Sequence, residues 1–155
     1  RGTAAGDLDD GIAAARLFVK SGTLAVKAGK TQQEVVSTAA TDGAIGAPVA
    51  LVVSQGTSGA AEVFAAALEG NDRADLIGER TLGRTARQRL VKLPDGSGLL
   101  ISNLRYLTPK SAQLHERGLQ PDVLVDEPDV EFGATPPPGD KALDAAMAHL
   151  AKAAA

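Results

Sequence analysis

Pro48-Val49-Ala50-Leu51-Val52-Val53-Ser54-Gln55-Gly56-Thr57-Ser58-Gly59-Ala60-Ala61-Glu62-Val63-Phe64-Ala65-Ala66-Ala67-Leu68 decides the fold. Val49–Val53 is a continuous apolar run, the pattern of a strand covered on both faces in a parallel or mixed sheet. Gln55–Gly59 is a turn of small residues, and Ala60–Leu68 predicts a helix. Leu76-Ile77-Gly78-Glu79 follows as a second short strand, and Leu82–Gln88 as a basic loop. A glycine-rich turn feeding a helix is where a nucleophile, an oxyanion hole or a phosphate commonly sits. The same residues would serve equally well if they only let the helix pack close to the sheet.

Working outward, Asp7, Asp9 and Asp10 crowd a helix start, where carboxylates suit the positive end of the dipole. Leu8, Ile12, Ala15, Phe18 and Val19 recur at helical spacing and mark its buried face, and Lys20-Ser21-Gly22 ends it. Thr23–Lys27 predicts a strand, Gly29-Lys30 a turn, and Gln33–Ser37 a weaker strand that pairs back. Thr38–Gly46 predicts a loop. Arg89–Leu93 and Gly98–Tyr106 alternate around Pro94-Asp95-Gly96-Ser97 and predict a hairpin. Ser111–Arg117 is irregular, and Gly118–Val123 leads into a short last strand. Asp126–Gly139, with four prolines, predicts a linker or surface arm. Asp140 then caps a final helix carrying Leu143, Met147 and Leu150. The expected organisation is the C-terminal portion of a longer domain over residues 1–126, followed by the Pro-rich arm and terminal helix at 127–155.

Composition narrows the chemistry. At 44% apolar and 23% charged residues, the 155-residue chain can bury a real core. A net charge of −3 offers no nucleic-acid surface. Arg84, Arg87 and Arg89 cluster locally, but no aromatic residues interleave with them as a single-strand binder requires. Without cysteine there are no disulfides, cysteine nucleophiles or thiolate metal sites. His115 and His149 are far apart and stand in no ligand-spaced cluster, so no metal or other cofactor is expected and both read as solvated histidines. No glycine pattern matches a dinucleotide or P-loop fingerprint. No apolar run approaches membrane-spanning length, and no signal peptide is recognisable. The opening Arg1-Gly2-Thr3, without an initiator Met, is the expected start of a piece of something longer.

Several stretches, taken in order, resemble the carboxy-terminal processing, or tail-specific, serine peptidases. Val52–Val63 is similar to that family's nucleophile segment, V-N-x-G-S-A-S-A-S-E-I. Ile77-Gly78-Glu79-Arg80-Thr81-Leu82-Gly83-Arg84-Thr85-Ala86-Arg87-Gln88 resembles V-G-E-x-T-F-G-K-G-x-V-Q. Leu93–Ser97, Arg105–Pro109 and Gly118–Val123 resemble L-P-D-G-S, R-Y-Y-T-P and G-I-x-P-D-V. Arg1–Gly6 stands where the family has L-R-x-N-x-G-G, starting one residue late.

The resemblance implies an α/β fold of the ClpP/crotonase kind, with helices packed on a mixed sheet. It also implies a mechanism. A serine attacks the peptide carbonyl, a neutral lysine takes its proton, a glutamine positions the lysine, and two backbone amides stabilise the oxyanion. Anchored on Glu62, the nucleophile falls on Gly59 and the lysine on Arg84, 25 residues apart as in the family. The glutamine falls on Gln88, and the oxyanion amides on Gly6 and Ala60. Both reacting groups are therefore substituted: glycine has no nucleophile, and a guanidinium stays protonated. The expectation is a homologue inactive by the Ser/Lys route that binds a peptide or an unstructured protein C-terminus. The alternative is an active peptidase with a shifted nucleophile, Ser58, or with residues outside this chain. A second copy, or an upstream segment of the same polypeptide, is the other partner expected. The family usually carries a PDZ domain, absent from this chain, and the resemblance points to an extracytoplasmic site, periplasmic or secreted.

Overall fold

Asp7 opens the first helix, α1 (Leu8–Ala15), with both halves of a capping box: its carboxylate accepts from Asp9 N–H, and Asp10 accepts from Asp7 N–H. The helix is shorter than its apolar spacing suggests. Phe18 and Val19 follow in tight turns onto Ala15 O, which still buries Val19. The chain is described here by a computed structural model covering residues 1–128 and 138–153. Most of the Pro-rich arm, residues 129–137, lies outside the described residues.

The elements that follow are β1 (Thr23–Ala28), β2 (Gln33–Ser37), β3 (Ala50–Val53), α2 (Ala60–Glu69) and β4 (Asp75–Gly78). Then come β5 (Ala86–Lys92), β6 (Gly98–Leu107), β7 (Val123–Leu124) and α3 (Lys141–Ala153). This is the α/β arrangement of helices on parallel and antiparallel strands, with the strands divided between two sheets. One is antiparallel, in the order β2-β1-β6-β5; the other is parallel, in the order β3-β4-β7. The basic stretch read as a loop as far as Gln88 is already strand from Ala86, because Arg87 is anchored there from outside the strand.

Helix α2 joins the two sheets. Three of its alanines, Ala65, Ala66 and Ala67, are buried side by side and let both sides of the helix approach closely. On one side Val63, Ala67 and Leu68 meet Ile12, Leu24 and Tyr106. On the other, Ala65 and Ala66 meet Val53 and Leu76, with Leu114 and Leu119. Each fully buried aliphatic side chain contributes about 1.5–3 kcal/mol of transfer free energy.

The parallel sheet is covered on its other face too. Ile77, one residue on from Leu76 and so pointing the opposite way, is equally buried, and α3 packs against β3 and β4. The face α3 turns inward is Ala142 and Ala146; of the larger apolar residues the helix carries, Leu143 and Met147 are exposed at 49% and 62% and Leu150 is half-buried. The small residues allow a close approach that the large ones would block. His149 is not simply solvated: its Nε2 lies 2.6 Å from Asp75 Oδ2 and ties α3 to β4. Nor is His115, whose Nδ1 is enclosed without a partner among the described residues.

Gly11 sets how α1 crosses α2. A Cβ there would lie 2.2 Å from Ala60 O and 3.1 Å from Phe64 N, both backbone atoms that cannot swing aside. Gly11→Ala is therefore expected to push α1 off the first turn of α2 and to cost about 1–3 kcal/mol. Urea unfolding of the two proteins checks it, and an unchanged midpoint would contradict the contact.

Candidate functional site

The N-terminus of α2 is held by a buried carboxylate. Glu62 is 0% exposed, and four donors converge on it. Its Oε2 accepts from Gly59 N–H (3.0 Å) and Arg84 N–H (2.8 Å). Its Oε1 accepts from Gly83 N–H (2.6 Å) and from the Thr81 hydroxyl. Successive amides converging in this way make a concavity for an anion. Thr81 Oγ1 in turn accepts from Leu119 N–H (2.8 Å), so the segment before β7 joins the same network. Burying an ion costs several kcal/mol unless hydrogen bonds replace its water, and here they do.

Glu62 thus brings residues 59 and 84 together. Gly59 is the N-cap of α2 with φ +64° and ψ −123°, in the region that favours glycine. The space around it is open: a Cβ there would meet nothing nearer than Arg84 O, 3.9 Å away. Gly6 adjoins Ala60, since a Cβ on Gly6 would lie 3.5 Å from the Ala60 Cβ. Among the described residues neither the Gly6 nor the Ala60 amide donates a hydrogen bond. The Arg84 side chain is exposed. Gln88 is exposed on β5 opposite Ser102, and no hydrogen bond joins it to Arg84 among the described residues. Ser58 is buried, 4% exposed, with its amide donating to Thr3 O (2.9 Å).

The sequence model of peptidase family S41 matches residues 1–125. The chain belongs to peptidase family S41. Among its S41 relatives, the carboxyl-terminal-processing protease of Synechocystis sp. is 34% identical over 147 residues, 95% of this chain and 34% of that protein. The carboxyl-terminal-processing protease of Picosynechococcus sp. is 32% identical over 136 residues, 85% of this chain and 32% of that protein. The solved photosystem II D1 C-terminal processing protease superposes with a TM-score of 0.71 at 34% identity, covering 81% of this chain and 33% of that one. The chain therefore spans about a third of the length of these S41 relatives.

Two features of this S41 domain escape a sequence reading focused on the reacting groups. Glu62 is one. Its signal is a glutamate at the capping-box position after the turn, in a helix otherwise built of Ala, Val, Phe and Leu up to Glu69. Asp9 is the other. Its place in the first turn of a helix explains it adequately from the sequence, yet its carboxylate faces the antiparallel sheet. It accepts from Lys27 (2.8 Å), Arg87 (2.8 Å) and the Tyr106 hydroxyl (2.8 Å). Arg87 also reaches Asp7 (3.1 Å) and Tyr106 Oη (2.9 Å). The cluster fixes the helix that follows Gly6 to the strand that follows Arg84.

Burial pushes the Asp9 carboxyl up, but hydrogen bonds from Lys27, Arg87 and Tyr106 outweigh it and hold it at about 2. Burial, together with the same carboxylate, pushes the Tyr106 phenol up, which keeps it a donor. An unfolded aspartate titrates at about 3.9. The stability Asp9 contributes is thus complete above that value and lost as pH falls through the folded one. Urea midpoints measured from about pH 6 down to pH 2 should fall for the wild type. For Asp9→Asn the midpoint should start lower and fall less; parallel curves would contradict the cluster. Glu62→Ala leaves three amides and a hydroxyl without an acceptor and should cost about 3 kcal/mol or more. Glu62→Gln, which keeps two acceptor lone pairs on one oxygen, should cost less by the same urea measurement.

Proposed function

We propose that this domain binds peptides at a centre that no longer cuts them by the family's Ser/Lys route. The observation that carries the reading is the pair of substitutions within an intact frame. Position 59, at the mouth of α2, has no side chain, and residue 84 ends in a permanent cation instead of a neutral amine. Around them the Glu62 network, the Gly6–Ala60 neighbourhood and the spacing remain. An extended peptide pairing with a sheet edge would present a carbonyl to the Gly6 and Ala60 amides. Without a nucleophile or a base, that carbonyl is held and not attacked.

Hydrolysis through Ser58 is the competing account. Ser58 lies one residue before the helix mouth, and its burial sets it apart from the open space at Gly59. The peptide's source, an extracytoplasmic location and any contribution from a PDZ domain are carried over from the family to the parent polypeptide.

Three measurements test the proposal. Unstructured peptides incubated with the protein should remain intact; turnover that survives removal of contaminating proteases would overturn it. A fluorophosphonate probe should label nothing at Ser58. Gly59→Ser combined with Arg84→Lys should gain slow hydrolysis, because a Cβ fits at residue 59. The serine will cost about 1–2 kcal/mol of stability for its positive φ. A fully inactive but folded double variant would argue that the two amides are not aimed at a peptide carbonyl.

A further inference from the structure

Beyond Gln88 and Ser102 the β5–β6 pair continues as a two-stranded ribbon with both faces exposed. Leu90 and Leu100 are opposite one another on one face, 59% and 57% exposed. Leu99 and Ile101 lie on the other face, 49% and 41% exposed. A ribbon of two strands is marginal alone, and a third strand with apolar side chains is what makes such a sheet stable. β5 is the outermost strand of its sheet, so its far edge is unpaired among the described residues.

The hydrogen-bond alternation fixes what that edge offers. Leu93 N–H donates to Ser97 O (2.8 Å), so residues 93, 91 and 89 turn their backbone groups toward β6. Residues 92, 90 and 88 consequently turn N–H and C=O outward. The charge on this edge has one sign. Arg89 stands on one face and Lys92 on the other, with Arg84 just ahead of the strand. Among the described residues none of the three is ion-paired, whereas Arg87 is held by Asp7 and Asp9. Like charges facing each other would oppose pairing with the β5 of a second copy, while the same cations attract carboxylates. The edge also leads to the site. It runs back from Lys92 to Arg84, whose carbonyl oxygen is 3.9 Å from where a side chain at residue 59 would begin.

We propose that the edge of β5 left unpaired among the described residues is the docking rail: an extended peptide mixing aliphatic and acidic side chains pairs with Gln88, Leu90 and Lys92 and runs toward Gly59. This rests on the peptide-binding function proposed above and adds to it the edge, the pairing positions and the charge of the ligand. The aliphatic side chains would continue the Leu90–Leu100 face, carboxylates on the opposite face would meet Arg89, and an acidic residue at the peptide end beside Lys92 would meet that cation.

The test uses the whole chain and fluorescein-labelled peptides of about eight residues, built from valine and glutamate or from valine and lysine. Binding is read by fluorescence anisotropy. The glutamate peptide should bind at least about ten-fold more tightly than the lysine peptide, and added salt should weaken it. Leu90→Pro removes an outward N–H without touching the ladder to β6, and should weaken binding about ten-fold or more. Methylating alternate peptide nitrogens should do the same on the unaltered protein, so the outcome does not depend on that variant folding. Arg89→Glu with Lys92→Glu should reverse the charge preference. Binding that ignores both Leu90→Pro and N-methylation overturns the edge assignment while leaving peptide binding in place. Failure of every peptide to bind overturns both. A dimer broken by Leu90→Pro, with no peptide bound, would give the edge to a second copy and overturn the proposal.

Discussion

The fold around the candidate site depends on one buried carboxylate. Glu62 is 0% exposed, and three of its four donors are backbone amides, those of Gly59, Gly83 and Arg84. An ion in that position is tolerable only while every donor stays in place. The arrangement therefore resists partial change: moving the loop at 81–84 away from α2 would strip the carboxylate of most of its hydrogen bonds at once. Two segments 25 residues apart in sequence, around 59 and 84, are held together by the carboxylate of Glu62.

Helix α1 supplies the second constraint, and it enters from the opposite side. Gly11 lets its backbone approach Ala60, which keeps Gly6 beside the first turn of α2. Asp9 and Asp7 then hold Arg87 three residues beyond Arg84. The stretch from residue 84 to residue 87 is thus fixed at both ends, by Glu62 at its start and by the α1 aspartates at its close. The ionic anchor is half-exposed and sensitive to pH, whereas the Glu62 anchor is fully enclosed. The two ends of the stretch therefore differ in what would loosen them.

Much of this was legible in the residues, for identifiable reasons. The strand before the turn, the helix after it and the hairpin around Pro94–Ser97 are local patterns, and local patterns survive folding when tertiary contacts agree with them. The S41 membership was equally legible, because its motifs run in order along most of the chain. What could not be read were long-range choices. The strands separate into an antiparallel and a parallel sheet because α2, with alanine on both flanks, fits between the two. Nothing local reports that outcome. Asp9 satisfied a local rule so well that its link to Tyr106, 97 residues away, left no trace in the pattern. On the terminal helix, too, the choice was made by the partner: the sheet accepted Ala142 and Ala146 and left the larger Leu143 and Met147 exposed.

Under the proposed function, the Glu62 network explains how such a centre would keep its shape without its chemistry. A network that reads only the amides of residues 59, 83 and 84 is indifferent to the side chains those residues carry. Under the proposed function, replacing a serine by glycine at 59 and a lysine by arginine at 84 would leave every hydrogen bond to Glu62 unchanged. The first replacement would even relax the backbone, since φ +64° strains a serine and suits a glycine. Strain at a nucleophile is a cost that activity alone justifies. Once turnover is no longer selected, glycine at residue 59 is the more stable choice, and the preserved frame needs no catalytic explanation. Under the proposed function, the Gly6 and Ala60 amides, which donate no hydrogen bond among the described residues, are left for a ligand or for water, and it is a bound carbonyl, not its cleavage, that would use them.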